Sequence, residues 1–155
     1  MIPAFDEVTG GLPPGDHPAT LAEVAKRLGF TPRRRWLLLG LRKAADAFWA
    51  AGIDEIYIDG SFCTSKPDPG DMDGYWVEPD PGVYERIDPY CIDFELVPVP
   101  ALRKRKWRMW AEYGLEFFIH PHMNAAPGTG FPEFFRRDRD GRRRGVIRIV
   151  KARKP

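Results

Sequence analysis

A capped helix pattern followed directly by a buried strand pattern is the feature that most constrains the fold of this 155-residue chain. Thr31 is a good N-cap, Pro32 fits the first helical position, and an apolar stripe then runs to Gly52, which predicts a helix. The next segment, "IDEIYIDG", has the β-branched and apolar content of a buried strand and ends at Gly60. We therefore predict an α/β (α+β) domain.

The other predicted elements are shorter. Thr20 and Glu23 form a capping box that begins an earlier helix, and Gly29 ends it, so the chain has an N-terminal helical extension. Residues 1–18, which are rich in Gly and Pro, are predicted to form an extended arm. Further along the chain we predict strands at 71–78, 90–99 and 145–150 and a basic helix at 101–113.

Length and composition favour one cytoplasmic domain over residues 1–155. A chain of this length with 43% hydrophobic residues can bury one sizeable core but not two. No apolar run reaches the roughly 18 residues of a membrane span, and we see no leader pattern at the N-terminus. Cys63 and Cys91 lack the number and spacing of a disulfide framework or a zinc site, so we expect reduced cysteines.

Charge is unevenly distributed along the chain. The C-terminal segment 136–155 has ten Lys or Arg and two Asp, a net charge of +8, so the preceding residues carry −6 of the total of +2. A basic segment beside an acidic body could contact an anionic partner, and a solvated arginine-rich surface is the alternative. Possible nucleic-acid contacts are Arg103, Lys104 and Lys106 in the basic helix and Arg142, Arg143 and Arg144 in the C-terminal segment.

The pair Asp71 and Asp73 is the main candidate for chemistry. Residues i and i+2 of a strand share a face, so both carboxylates would project together and suit a hard divalent cation, with Mg²⁺ the best fit. Asp93 and Glu95 also share a face in the third predicted strand, and either could add a third carboxylate. Asp93 is preferred because its apolar neighbours place it centrally. Three carboxylates would hold two metal ions, the arrangement that stabilises in-line displacement at phosphorus.

A turn that could cradle phosphates precedes the acidic pair. Gly60 lets the backbone approach a phosphate closely, and Ser61 adds a hydroxyl beside exposed N–H groups. The adjoining loop brings further donors, among them a lysine that could also be an ordinary surface residue. The predicted nucleotide-binding residues are therefore Gly60, Ser61, Thr64, Ser65 and Lys66.

The order of these residues resembles the DNA polymerase β type nucleotidyltransferase superfamily, especially its minimal bacterial members. The resemblance lies in Gly60-Ser61 at the end of a strand, nine residues, and then Asp71-Met72-Asp73 opening a second strand. It covers the segment from Ile56 to roughly Asp93.

The resemblance implies a small mixed sheet flanked by helices and a particular chemistry. Asp71 and Asp73 would be paired ligands of two Mg²⁺ ions, Asp93 would be the third carboxylate, and an NTP would be the substrate. It further implies transfer of an NMP to a hydroxyl of RNA, such as a tRNA end, or of a partner protein. Small members of the superfamily commonly act in bacterial toxin–antitoxin or phage-defence systems, which is the setting that we expect.

Departures from the family pattern leave other hypotheses open. Pro67, Pro69 and Gly70 make a proline-rich loop where minimal members often have a short helix, and Gly74 follows the acidic pair where an apolar residue is usual. One alternative is a catalytically inactive binding module of the same fold, which neutralises a partner as an antitoxin does. Another is an arginine-rich RNA-binding protein whose D-x-D is only a turn.

Overall fold

The protein combines helices and strands over the described part of the chain. The computed structural model describes residues 1–126, 129–130, 135–138 and 140–153. Its strands are β1 (Gly15–Ala19), β2 (Ile56–Asp59), β3 (Met72–Val77), β4 (Leu96–Val99), β5 (Lys104–Trp107), β6 (Leu115–His120), β7 (Asn124–Ala126), β8 (Thr129–Gly130) and β9 (Gly145–Ile149). Its α-helices are α1 (Leu21–Leu28), α2 (Pro32–Ala50), α3 (Val83–Arg86) and α4 (Arg108–Tyr113). Short 3₁₀ segments cover Gly60–Cys63, Pro89–Ile92 and Pro100–Leu102.

A mixed sheet is the centre of the fold. Over the described residues it has five strands in the order β1-β9-β2-β3-β6. The β1–β9 and β3–β6 pairs are parallel, whereas β2 is antiparallel to both β9 and β3. β4 with β5, and β7 with β8, form separate antiparallel pairs. The predicted α+β class with a mixed sheet and flanking helices is confirmed at this level.

The two N-terminal helices begin where their caps predict. The Thr20 hydroxyl accepts a hydrogen bond from the backbone N–H of Glu23 at 3.2 Å, and the Glu23 carboxylate accepts one from the N–H of Thr20 at 2.8 Å. The Thr31 hydroxyl accepts from the N–H of Arg34 at 3.2 Å. Because these caps satisfy N–H groups that have no partner inside the helix, local sequence alone determines both starts.

The α2 helix packs on one face of the sheet. The ring of Phe48 lies 6.0 Å from the rings of both Trp76 and Phe117, and all three side chains are buried. Successive side chains of a strand point to opposite faces, so the alternate residues of β2 and β3 face away from this core. The residues on that second face include Tyr57, Asp59, Asp73 and Tyr75.

Several predicted strands and one helix are tested directly. β2, β3 and β9 confirm the strands predicted at 53–60, 71–78 and 145–150. The strand predicted at 90–99 is wrong over its first half, which is a 3₁₀ segment followed by irregular chain, and β4 is shorter. The helix predicted at 101–113 is wrong over 104–107, because β5 pairs with β4 there, and α4 forms only its second half.

Two strands of the main sheet escaped prediction. β1 lies at the end of the predicted extended arm and pairs in parallel with β9, from the opposite end of the chain. β6 follows α4 and pairs in parallel with β3. Both depend on partners far away in sequence, which a local pattern does not reveal.

Other expectations concern the membrane, the cysteines and the C-terminal segment. Among the described residues, no helix combines the length and the apolar character that crossing a membrane requires. Cys63 and Cys91 are buried and free. Of the basic segment 136–155, Arg139 and residues 154–155 lie outside the described residues.

Candidate metal centre

Three carboxylates meet at one end of two neighbouring strands. Asp73 on β3 is in parallel register with Glu116 on β6, and Asp71 lies just before β3. One carboxylate oxygen of each residue lies within 4.8 Å of the others. Ligand oxygens around a single hard cation are separated by at most about 4–5 Å, so this spacing suits one. Asp71 and Asp73 therefore lie together, as strand periodicity predicts.

The third carboxylate of this group is Glu116 rather than Asp93. Asp93 follows the 3₁₀ segment Pro89–Ile92 instead of lying within a strand. Its Oδ2 pairs with Nε of Arg108 at 3.2 Å, and its Oδ1 accepts from the N–H of Glu95 at 3.0 Å. Glu95 pairs with Arg108 as well, at 3.1 Å. The acidic group found among the described residues includes neither of the two acids that were predicted for this place.

A lysine ammonium lies against the carboxylates. Lys106 Nζ is 3.2 Å from Oδ2 of Asp71 and also contacts Oε1 of Glu116. The Lys106 side chain is only 13% exposed, and its ammonium lies 5.4 Å from the ring of Trp110. Lys106 was predicted as a nucleic-acid contact on a helix. The structure places it on β5, turned inward to the acidic group.

A fourth carboxyl group extends the cluster into the sheet. Asp59 on β2 is directly opposite Asp73 on β3 and is completely buried. Among the described residues, neither of its carboxyl oxygens has a hydrogen-bond partner. Burial, and then the neighbouring Asp73, raise the pKa of Asp59 well above its ordinary value, against the opposing effect of Arg144 and Arg136. An unpartnered buried carboxyl is costly, which favours a cation or proton nearby.

The pKa of Asp73 is shifted in the same direction. Burial is the largest cause, and the charges of Asp71 and Glu116 add to it, so that the pKa rises to about 7. Lys106 and Arg144 oppose this rise. A carboxyl group with such a pKa gains strongly from a divalent cation, because the cation stabilises its charged form.

Gly60 allows the turn to pass close to Asp73. Its φ is +70°, a conformation that favours glycine. A Cβ on residue 60 would lie 2.9 Å from the Cβ of Asp73 and would overlap the carboxylate. The backbone of the Gly60-Ser61 turn is therefore in contact with the acidic cluster, which brings the two halves of the sequence motif together.

Buried Arg34 holds the loop that follows this turn. Its guanidinium donates hydrogen bonds to the carbonyl oxygens of Phe62 at 2.8 Å and of Lys66 at 2.7 Å, and also to that of Thr64. The Thr64 hydroxyl in turn donates to the carbonyl of Ser61 at 2.6 Å. An arginine on α2 thus holds the backbone of the proline-rich loop from the inside.

The predicted nucleotide-binding residues differ in their surroundings. Ser65 and Lys66 have exposed side chains, whereas Ser61 and Thr64 are partly buried and Gly60 is buried. The Thr64 hydroxyl is engaged with the loop backbone. The exposed pair is therefore the part of the loop that a ligand could reach directly.

Gly74, the other departure from the family pattern, has a packing explanation. It lies on the core face of β3, and a Cβ there would be 2.6 Å from Cε1 of Phe117 and would also overlap the carbonyl of Tyr57. The Phe117 ring of β6 fills the space that an apolar side chain would otherwise need. Packing against Phe117 and Tyr57 therefore explains the glycine at position 74.

The remaining predicted cations have different positions. Arg103 and Lys104 are exposed at the connection between β4 and β5, and Arg142 and Arg143 are exposed before β9. Arg144 is half-buried, donates to the carbonyl of Phe135 at 3.2 Å, and lowers the pKa values of the buried aspartates. Arg144 thus acts electrostatically on the acidic cluster, and the other four face solvent.

Sequence reasoning missed Asp59, Glu116 and the inward position of Lys106. The strand pattern "IYID" places Asp59 two residues after Tyr57 on the same face, which was a usable signal. The alternation in "LEFFIH" similarly indicates a strand with Glu116 on its less buried face. Nothing local indicated that Lys106 points toward these acids, because that contact depends on the β4–β5 pairing.

The chain belongs to a family of unknown function, DUF6932, whose model matches residues 3–150. Comparison with curated proteins and with solved structures found no match. The matched range includes the whole acidic cluster, the Gly60-Ser61 turn and the strands that carry them.

Proposed function

We propose that this protein is a divalent-metal-dependent nucleotidyltransferase that moves an NMP from an NTP to a hydroxyl group. The observation that carries the proposal is the convergence of Asp71, Asp73 and Glu116 beside the Gly60-Ser61 turn. In the proposed reaction the acceptor oxygen bonds to the α-phosphorus, the bond to the β-phosphate oxygen breaks, and pyrophosphate leaves. The acceptor proton passes to solvent.

The donor set supports a hard cation. Carboxylate oxygens are the ligands that Mg²⁺ prefers, and the unpartnered carboxyl group of Asp59 lies directly behind Asp73. Bound Mg²⁺, in one or two ions, would neutralise phosphate charge and polarise the attacking hydroxyl. Asp71, Asp73 and Glu116 would hold it, and Glu116 would take the role that was predicted for Asp93.

The turn and its loop support nucleotide binding. Gly60 has no side chain, so the backbone of the turn lies directly against the Asp73 carboxylate, and a phosphate held by a metal on that carboxylate would lie near the turn. Arg34 fixes the loop from the inside, which leaves Ser65 and the Lys66 ammonium free to face a triphosphate. Rigid support of this kind lowers the entropic cost of ordering the loop on binding.

Exposed cations favour RNA as the acceptor. Arg103, Lys104, Arg142 and Arg143 are exposed and could neutralise phosphates of an RNA, for example near a tRNA end. A hydroxyl of a partner protein is the other acceptor class. The toxin–antitoxin or phage-defence setting implied by the sequence resemblance stays a prediction.

Label transfer tests the proposal. The purified protein is incubated with Mg²⁺, each of four α-labelled NTPs, and either total bacterial RNA or a protein extract. We expect label in one pool with the wild type, none with Asp71→Asn/Asp73→Asn, and normal labelling with the exposed control Asp54→Asn. Label that persists in the double variant would assign the transfer to a contaminant, and no label from a folded wild type would contradict the proposal.

Lys106 favours a second candidate, an inactive binding module of the same fold. A lysine that permanently neutralised Asp71 and Glu116 would leave the carboxylates with a structural role only. Such a module should still bind its partner when Asp71 and Asp73 are both changed to Asn. An enzyme with this fold would lose its effect in the same variant.

A further inference from the structure

We propose that Lys106 is a built-in cation that occupies the acidic cluster until a divalent ion displaces it. The inference rests on the proposed function only in assigning Asp71, Asp73 and Glu116 as metal ligands. Lys106 Nζ lies 3.2 Å from Oδ2 of Asp71 and contacts Oε1 of Glu116, so it occupies two of the three carboxylates that a metal would need. The metal and the ammonium therefore compete for the same two carboxylates.

Charge makes this competition unavoidable. One ammonium faces the carboxyl groups of Asp71, Asp73 and Glu116, so the cluster is short of positive charge whenever all three are ionised. A divalent ion supplies twice that charge at shorter distances to the same oxygens, and it repels an ammonium in contact with them. A bound divalent ion therefore neutralises the carboxylates better than the Lys106 ammonium does.

Lys106 is carried by a different sheet from Asp73 and Glu116. β5 belongs to the two-stranded β4–β5 sheet and not to the main sheet that carries the carboxylates. The four-carbon stem can therefore swing away while β3 and β6 keep their register. After displacement the ammonium stays beside the metal, where it would contact the phosphates of a bound nucleotide. Metal binding thereby exposes a phosphate contact.

Manganese binding tests the competition without any nucleotide. Binding of Mn²⁺ to the full chain is followed by electron paramagnetic resonance for the wild type, Lys106→Met and Lys104→Met. Lys104 is the matched control, because it lies two residues earlier on β5 with an exposed side chain. We expect Lys106→Met to bind Mn²⁺ about tenfold more tightly or better, and Lys104→Met to change the affinity less than about twofold. Equal affinities in the two variants would overturn the inference.

Amine labelling tests the displacement in the wild-type protein. The rate at which an acetylating reagent modifies Lys106 is measured by mass spectrometry with and without Mg²⁺. Lys106 is 13% exposed and bonded to two carboxylates, so we expect slow modification without metal and at least about threefold faster modification with it. The rate at Lys104 should stay constant. An unchanged rate at Lys106 in protein that binds the metal would overturn the inference.

These results separate failure of the inference from failure of the proposed function. If the wild type binds Mn²⁺, the Asp71→Asn/Asp73→Asn variant does not, and Lys106→Met equals the wild type, only the displacement is wrong. If neither the wild type nor Lys106→Met binds Mn²⁺, the metal centre and the displacement both fail. Label transfer is measured independently of both.

Discussion

Asp59 and Asp73 face each other across β2 and β3, in direct antiparallel register on one face of the sheet. Both carboxyl groups have raised pKa values, and burial is the largest cause for each. The fold thus holds two carboxyl groups together where water cannot solvate them well. A protein selected for stability alone has no reason to keep such a pair, whereas a cation-binding site does.

The pair predicts that the metal-free protein loses stability as the pH rises. The pKa of Asp73 is about 7 in the fold against an ordinary value of 3.8, so between these values the folded state binds more protons than the unfolded state. Stability is then highest below pH 4 as far as this group is concerned, and it falls by on the order of 1 kcal/mol per pH unit up to about pH 7. Urea unfolding in a chelating buffer at a series of pH values measures the slope.

Variants identify the source of that slope. Asp73→Asn should flatten the fall, because Asn cannot ionise, while exposed Asp54→Asn should leave it unchanged. In the wild type, saturating Mg²⁺ should reverse the fall in stability with rising pH, since the metal stabilises the charged form of Asp73. A slope that is identical in all three proteins would show that Asp73 titrates normally.

Substitutions of Glu116 and of Asp93 should affect metal binding differently. Glu116→Gln should weaken the affinity for Mg²⁺ by about tenfold or more, because it removes one anionic ligand from the cluster. Asp93→Asn should leave the affinity near that of the wild type, because Asp93 pairs with Arg108. The shift in melting temperature on addition of Mg²⁺ compares the two. A larger loss in Asp93→Asn would restore Asp93 as the third ligand.

Gly60→Ala should disturb both the fold and the metal centre. A methyl group there meets the carboxylate of Asp73 in a backbone conformation with φ of +70°. We expect destabilisation by about 1–3 kcal/mol and loss of Mg²⁺-induced stabilisation. Gly70→Ala is the matched control, because a Cβ at that position meets nothing within 4 Å. Equal effects in chemical denaturation would contradict the close approach at Gly60.

Arg34→Met should destabilise the protein through the loop that follows the Gly60-Ser61 turn. The substitution removes the donors for the carbonyls of Phe62, Thr64 and Lys66, of which the Phe62 carbonyl is left buried without this partner. The expected cost is about 3 kcal/mol in the free energy of unfolding. Arg42→Met, an exposed position on the same helix, should change it by less than about 0.5 kcal/mol. Urea denaturation of both variants decides whether Arg34 supports the loop.

Local sequence determined the elements whose signals lie within a few residues. The caps at Thr20 and Thr31 begin α1 and α2, and the strand patterns of β2, β3 and β9 were readable because alternation and flanking turns are local. The juxtaposition of Asp71 with Asp73 follows from the period of a strand. These parts of the fold and half of the candidate metal centre could be predicted without a structure.

Tertiary structure alone decided how the centre is completed. Glu116 joins Asp73 because β6 pairs with β3 across a long separation in sequence, and Lys106 turns inward because β5 pairs with β4. The sequence near Asp93 looked like a strand, but its residues form a 3₁₀ segment and an ion pair with Arg108. Strand pairing depends on which partner buries each face and satisfies each N–H and C=O, and that information is spread over the whole chain.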